Sequence, residues 1–232
     1  MCTVVFRVPG APTDPVLVLA VRDEDPARAW NPLGEWWPDR AGVIGVQDRR
    51  AGGAWLAAHP RRGRLAVTLN REGEPAVSPD AILSRGALAL DAVDGQAPDA
   101  HDRMRGFNLL AVHGGSVEIT SWDGSRFARD EVGPGTHMLA HHDVDDPRSA
   151  RIAAWLDAFR AAPATIAGWT DVLARTGELD PADDRAIARD NRPHGYPTMS
   201  TLACVASVRP GRAEVRYAEF ATPGAWSPLT FA

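Results

Sequence analysis

The sequence predicts a mixed α+β fold in which mainly antiparallel sheets pack against helices. Short apolar runs bounded by glycine, proline or charged residues fill the first half of the chain, and such runs are typical of β-strands. A helical block follows at about residues 147–175, and a final β-hairpin comes after it. Strands on both sides of a helical block favour layered packing, and the length fits one domain over residues 1–232.

The first two strands form the hairpin that matters most for a candidate site. Residues 2–8 and 16–22 are rich in apolar and β-branched side chains, and proline and glycine mark the turn between them. If the two strands pair as a hairpin, Arg22 and Asp23 lie within reach of the N-terminus.

The other elements follow from the same local signals. Further strands are predicted at residues 42–47, 53–58, 64–70, 107–112, 117–122, 127–132, 201–208 and 213–220. Helices are predicted at residues 80–94, where Gly86 weakens the pattern, at 147–161 with Asp146 as the N-cap, and at 165–175.

Composition excludes several classes of function. The formal net charge is −5, and all 25 basic residues are arginine, so no lysine can form a Schiff base. The arginines are scattered among acids, which argues against nucleic acid as a partner. No apolar run approaches the roughly 18 residues of a membrane span, and no signal peptide is visible. We therefore expect a cytoplasmic protein without a transmembrane segment.

The two cysteines and the histidines do not form a recognisable metal motif. Cys2 and Cys204 could pair, but a chain of this length in the cytosol needs no disulfide. His141 and His142 precede several aspartates, yet neighbouring residues of a strand point to opposite faces, so a solvated turn is the favoured interpretation. No metal site is predicted.

Cys2 is the strongest candidate for chemistry. Initiator methionine is usually removed when a small residue follows, which would leave Cys2 with a free α-amine. The thiol would then be the nucleophile, and the amine, with an ordinary pKa of about 8, would be its base. A nearby arginine would favour the thiolate. The alternative is that Cys2 simply begins a buried strand.

A series of short motifs resembles the NRDE family, also called the transport-and-Golgi-organisation family, over about residues 1–160. The family is named after an Asn-Arg-Asp-Glu tetrapeptide, which corresponds here to Val21-Arg22-Asp23-Glu24 and follows Cys2 at the family's distance. The other matching segments, in the family's order, are Gly52-Gly53-Ala54-Trp55-Leu56, Leu65 to Asn70, Ser84-Arg85-Gly86, Gly106-Phe107-Asn108-Leu109 and Pro134-Gly135-Thr136-His137.

This resemblance implies a four-layer αββα sandwich of the N-terminal-nucleophile hydrolase type. It implies Cys2 as the nucleophile, Arg22 as the group that stabilises charge beside the thiol, and Asp23 as the group that binds the α-amine. Donors to an oxyanion would be Asn70 or Asn108. The roles of Glu24 and Arg85 would be to orient these groups or to bind a ligand carboxylate or phosphate.

Three positions depart from the family pattern. Val21 replaces the first Asn of the tetrapeptide, so an amide gives way to an apolar side chain. After the PGT turn, Ala140 and His141 stand where the family tends to have Ser and Asn. The chain therefore resembles a divergent member of the family.

Three functions follow as hypotheses. The first is an amide or thioester hydrolase that needs no cofactor. The second is a carrier of haem or of an acyl-CoA or lipid, with the loop around Trp36 and Trp37 as an apolar pocket wall. The third is a scaffold protein. The candidate axial ligands for haem are His59, His137, His141, His142, His194 and Cys2.

Overall fold

Two antiparallel sheets form the centre of the computed structural model, which describes residues 2–11, 13–98 and 101–232. The strands are β1 Thr3–Val8, β2 Val16–Glu24, β3 Trp30–Gly34, β4 Ile44–Asp48, β5 Ala54–His59, β6 Arg64–Asn70, β7 Phe107–His113, β8 Ser116–Trp122, β9 Phe127–Glu131, β10 Gly135–Leu139, β11 Met199–Arg209 and β12 Arg212–Glu219. The α-helices are α1 Leu88–Asp94, α2 Ala150–Ala161 and α3 Ile166–Thr176.

The sheets differ in connectivity. The first sheet has the order β10-β1-β2-β11-β12, with strands from both ends of the chain at its centre. The second sheet runs β3-β4-β5-β6-β7-β8-β9, so each strand pairs with the next one in sequence. Strand β1 lies between β2 and β10, so it is an interior strand of the first sheet. Cys2 immediately precedes β1 and therefore lies at the end of this interior strand.

Three apolar clusters separate four layers. The largest lies between the sheets and contains Val4 and Phe6 of β1 and Leu110 of β7. A second cluster packs α2 and α3 on the outer face of the first sheet, and a third packs α1 on the outer face of the second sheet. This arrangement confirms the predicted four-layer αββα sandwich with antiparallel sheets.

The predicted hairpin of the first two strands forms. Thr3 is opposite Val21 and Val5 is opposite Leu19, which brings the strand end at Arg22 beside Cys2. Both faces of β1 are buried, because Val4 faces the other sheet while Val5 faces the helices. That is why its sequence reads as a continuous apolar run rather than an alternating one.

The predicted helix at residues 80–94 is wrong in its first half. Only Leu88–Asp94 is α-helical, and two short 3-10 turns, Pro79–Ala81 and Arg85–Ala87, precede it. Leu83 instead forms a bridge with Met104, and Gly86 lies against Gly53, which directly precedes β5. Tertiary contacts therefore override the local helical pattern.

Two further differences concern the second half of the chain. The helix predicted to begin after Asp146 begins at Ala150 with Ser149 as its N-cap, because the Asp146 carboxylate accepts hydrogen bonds from Arg148 instead. The predicted PGT turn is the start of a strand, β10, which pairs with β1. The remaining helix and the C-terminal hairpin are confirmed.

A membrane-spanning helix would need a long apolar stretch. Within the described ranges, none of the helices reaches the necessary length and hydropathy.

Candidate active site

A cavity of about 490 Å³ opens beside the N-terminal end of β1. Cys2 lines it together with Trp55 and Thr68 of the second sheet and with the segment that precedes α1. Its charged lining consists of four arginines and three acids: Arg22, Arg28, Arg85, Arg105, Asp23, Glu24 and Asp48. The cavity is therefore polar and rich in guanidinium groups.

Cys2 is a buried free thiol in the wall of this cavity. Its Sγ donates to the backbone carbonyl of Asp23 at 3.7 Å. Burial raises the pKa of the Cys2 thiol above its ordinary value, the Asp23 carboxylate raises it further, and Arg22 acts in the opposite direction. The thiol is neutral at physiological pH, so nucleophilic attack needs a proton acceptor. The predicted loss of Met1 concerns a residue outside the described ranges.

Arg22 extends from the inner face of β2 beside the thiol. Its Nη2 donates to Glu24 Oε2 at 3.0 Å, and its guanidinium lies 5.8 Å from the ring centroid of Trp30. Its Nη1 is buried and has no hydrogen-bond partner among the described residues. Glu24 thus orients Arg22, and one N–H of Arg22 remains available for a ligand.

Asp23 points to the opposite face of the first sheet, toward the helical layer. Its carboxylate accepts a hydrogen bond from Ser200 Oγ at 2.6 Å and one from Asn191 Nδ2 at 3.5 Å. A β-bulge in β11 lies directly opposite, since Ser200 pairs with Asp23 whereas Leu202 pairs with Arg22. The bulge aims Ser200 at the carboxylate, as bulges beside active sites commonly do.

Arg151, at the start of α2, completes this network. It is 2% exposed, donates to Thr3 Oγ1 at 2.6 Å and lies 3.9 Å from Asp23 Oδ2. Burial lowers the pKa of Arg151 below its ordinary value, while the Asp23 carboxylate opposes this effect. A helix of the outer layer therefore helps to hold the carboxylate that lies next to Cys2.

Arg85 reaches the cavity because two glycines let its segment approach β5. A Cβ added at Gly53 would lie 2.3 Å from the Cα of Gly86. Arg85 Nη1 donates to the carbonyl of Gly106 at 2.7 Å. Burial lowers the pKa of Arg85, and the charge of Arg105 lowers it further.

The two asparagines expected to donate to an oxyanion have different surroundings. Asn70, at the end of β6, lines the cavity and is exposed. Asn108 is fully buried outside the cavity lining, and its Nδ2 donates to the carbonyls of Ala140 and His142 at 3.0 and 2.8 Å. Asn70 therefore lines the same cavity as Cys2, whereas the donors of Asn108 are used by backbone carbonyls.

Three further residues that were expected to bind a ligand, Trp36, Trp37 and His137, lie outside the cavity lining. The indole nitrogens of Trp36 and Trp37 donate to the carbonyls of Pro32 and Gly52, each at 2.7 Å, and neither residue lines the cavity. His137 lies in β10, where its ring nitrogens contact Asp145 Oδ2 and the Gly133 carbonyl at 2.8 and 3.1 Å. The cavity wall is therefore not built from these three residues.

The positions that depart from the family pattern also lie outside the cavity lining. Val21 and Ala140 pack in the cluster between the first sheet and the helices. Burial, followed by the charge of Arg151, lowers the pKa of His141 to about 4. The loss of a polar group at Val21 therefore leaves the described cavity wall intact.

Several site residues were not identified from the sequence. Arg28 and Arg105 line the cavity, and Ser200, Asn191 and Arg151 surround Asp23. Ser200 and Thr201 carry a weak signal as a polar pair at the start of an apolar strand. The sequence around Arg28, Arg105 and Arg151 does not distinguish them from the other arginines of the chain.

Fold and site together define a four-layer αββα protein with a cysteine immediately before a central strand and a polar cavity beside it. The model of the Transport and Golgi organisation 2 family matches residues 1–167, which is more than half of the chain. The chain therefore belongs to this family, and the resemblance to the NRDE family is confirmed.

Individual proteins were also compared with the chain in sequence and in structure. No curated protein matches the chain. Among solved structures, the chain is similar to the Caenorhabditis elegans N-acylethanolamine-hydrolyzing acid amidase ortholog, with 12% sequence identity and a TM-score of 0.49. The match covers 88% of this chain and 92% of that chain.

Proposed function

We propose that this protein is a cysteine hydrolase of the N-terminal-nucleophile type that cleaves a small amide or thioester. The observation that carries the proposal is the position of the Cys2 thiol, in the wall of the cavity beside Arg22. Arg22 has a buried N–H without a partner among the described residues, and such a group is suited to stabilising negative charge.

The proposed mechanism uses the α-amine of Cys2 after removal of Met1. Because burial keeps the thiol protonated, the amine takes the thiol proton as the sulfur attacks the substrate carbonyl. The carbonyl π electrons move to oxygen and then re-form the carbonyl as the C–N or C–S bond of the substrate breaks. The leaving amine or thiol departs with the proton, and water then hydrolyses the acyl-cysteine to the free acid and the thiol. Asp23 holds the amine, Arg22 stabilises developing charge, and Asn70 donates to the oxyanion.

Two further cavity residues have proposed roles in binding. Glu24 orients Arg22 through the 3.0 Å ion pair. Arg85 binds a carboxylate or phosphate of the substrate, since its one side-chain hydrogen bond within the described residues goes to a neutral carbonyl.

The second candidate function is a non-catalytic carrier of an anionic ligand, either an acyl-CoA or another lipid, or haem. Arg85 favours an anionic ligand, because its side chain donates to a neutral carbonyl, whereas Arg22 and Arg28 pair with Glu24 and Asp48 of the same lining. The histidines do not fit an axial role, because among the described residues none lines the cavity and the Cys2 thiol is the one candidate axial ligand there.

The test is the intact mass of the purified protein before and after reaction with iodoacetamide. The proposal predicts loss of Met1 and rapid addition of one carbamidomethyl group, and this addition disappears in the Cys2→Ala variant. Cys204 is the internal comparison, because it is 1% exposed and lies outside the cavity lining.

Retention of Met1, or labelling of Cys2 no faster than that of Cys204, would contradict the hydrolase. The carrier would then be tested by titration with haem and with a long-chain acyl-CoA. Binding that survives Cys2→Ala but weakens in Arg85→Gln would support the carrier of an anionic ligand.

A further inference from the structure

Trp55 lines the cavity and carries an indole hydrogen-bond donor that the described residues around it leave unused. The residue is 8% exposed at the start of β5 and lines the same cavity as Cys2. Its indole Nε1–H is buried without a hydrogen-bond partner among the described residues. Buried N–H groups nearly always have a partner, so one that lines a cavity points to a ligand acceptor.

The chemistry at Cys2 creates such an acceptor. Attack by the sulfur converts a carbonyl oxygen into an oxyanion, which needs donors that are already in position. Asn108 is committed to two backbone carbonyls, and Asn70 is exposed, so its amide competes with water. A donor shielded from water acts more strongly on a developing charge than an exposed one.

We propose that the indole N–H of Trp55 donates a hydrogen bond to the acyl oxygen of the substrate as the tetrahedral intermediate forms on Cys2. This inference rests on the proposed hydrolase function and adds a catalytic residue to it. Trp55 transfers no proton, and its role is to stabilise the negative charge on oxygen.

The test compares two probes that react with the same sulfur. With p-nitrophenyl acetate, the S–C bond forms, an oxyanion develops, and p-nitrophenolate leaves with the electron pair of the broken C–O bond. With iodoacetamide, sulfur displaces iodide directly and no oxyanion forms. Trp55→Phe keeps an aromatic ring but removes the N–H together with part of the indole volume. The loss of volume should affect both reactions alike, whereas the loss of the N–H should slow only the first.

We expect Trp55→Phe to slow acetylation of Cys2 by about 100-fold relative to alkylation, the usual effect of removing one oxyanion donor. Trp169→Phe is the matched control, because Trp169 is fully buried and also has an indole Nε1 without a partner, but it lies in the helical layer. It should change neither rate. Acetylation is followed by the initial burst of p-nitrophenolate, and alkylation is followed by intact mass.

Equal acetylation rates in Trp55→Phe and the unmodified protein would overturn the inference. An equal fall in both reactions would overturn it as well, because the defect would then lie in the thiol or in packing. If Cys2 of the unmodified protein reacts with neither probe, the proposed hydrolase function fails, and this result is visible before any tryptophan variant is made.

Discussion

Asp23 and Arg151 form a buried ion pair next to the cysteine. The side chains are 1% and 2% exposed, and 3.9 Å separates Arg151 Nη1 from Asp23 Oδ2. Moving two charges out of water is costly, and the pair is tolerated because each group also has polar neighbours such as Ser200 and Thr3. Removing the cation would take away a buried positive charge that lies 3.9 Å from this carboxylate.

We expect Arg151→Met to lower the free energy of unfolding by about 3 kcal/mol, the usual effect of removing one partner from a buried ion pair. The measurement is urea denaturation followed by circular dichroism. Methionine retains much of the length of the arginine stem, so the loss of charge dominates.

Arg148→Met is the control for that variant. Arg148 precedes α2, is exposed, and pairs with Asp146. Its replacement should leave the urea midpoint almost unchanged, because exposed pairs contribute little. Equal destabilisation by the two substitutions would show that burial of the Asp23 pair has no special effect.

At the scale of elements, the contact between β5 and the turn that carries Arg85 depends on two glycines. Gly53 precedes β5 and Gly86 lies in the 3-10 turn Arg85–Ala87. A methyl group on either residue would meet the other: at 2.3 Å from Gly86 Cα when added to Gly53, and at 2.9 Å from Gly53 Cα when added to Gly86. The sequence therefore requires glycine at both positions for a packing reason.

We expect Gly53→Ala to lower the free energy of unfolding by about 1–3 kcal/mol, because one backbone must move away from the other. Gly86→Ala should have a smaller effect of the same sign, since its contact is less close. Gly133→Ala serves as the control, as no described atom lies within 4 Å of a Cβ at that position. Thermal unfolding of all three variants measures the effect, and unchanged stability of Gly53→Ala would contradict it.

The whole molecule couples its layers through the first sheet. Strand β1 buries Val4 and Phe6 against the other sheet and Val5 against the helices. Loss of either apolar cluster would therefore expose one face of the same strand. This coupling supports the prediction that residues 1–232 behave as one domain.

We expect one cooperative unfolding transition, observed at the same denaturant concentration by tryptophan fluorescence and by circular dichroism. Leu110→Ala between the sheets and Phe159→Ala beneath the helices should each shift that transition, by about 3 kcal/mol in free energy. Tyr196→Ala, at a side chain that is 64% exposed, should leave it in place. Two separated transitions would contradict a single domain.

Local pattern predicted most of the strands and the hairpin that places Arg22 and Asp23 beside Cys2. It failed where tertiary contacts decide. Residues 82–86 have helical spacing, but Gly86 packs against Gly53, directly before β5, and the segment is not α-helical. Trp30–Gly34 has too few strand signals in its sequence to be predicted, and it becomes a strand by pairing with β4. Likewise, Asn108 sits in a family motif, but only the packing of the loop after β10 shows that both its donors are occupied.

The layered antiparallel fold, the family and the candidate nucleophile could all be predicted from the sequence, because strand period, turn residues and short motifs are local signals. Which polar groups share a cavity with Cys2, and which are used elsewhere, depends on packing between distant segments and became visible in the folded chain. Trp55 shares the cavity with Cys2, although it lies far from Cys2 in sequence. Ser200 and Arg151, which surround Asp23, are also distant in sequence, and sheet pairing and layer packing place them there.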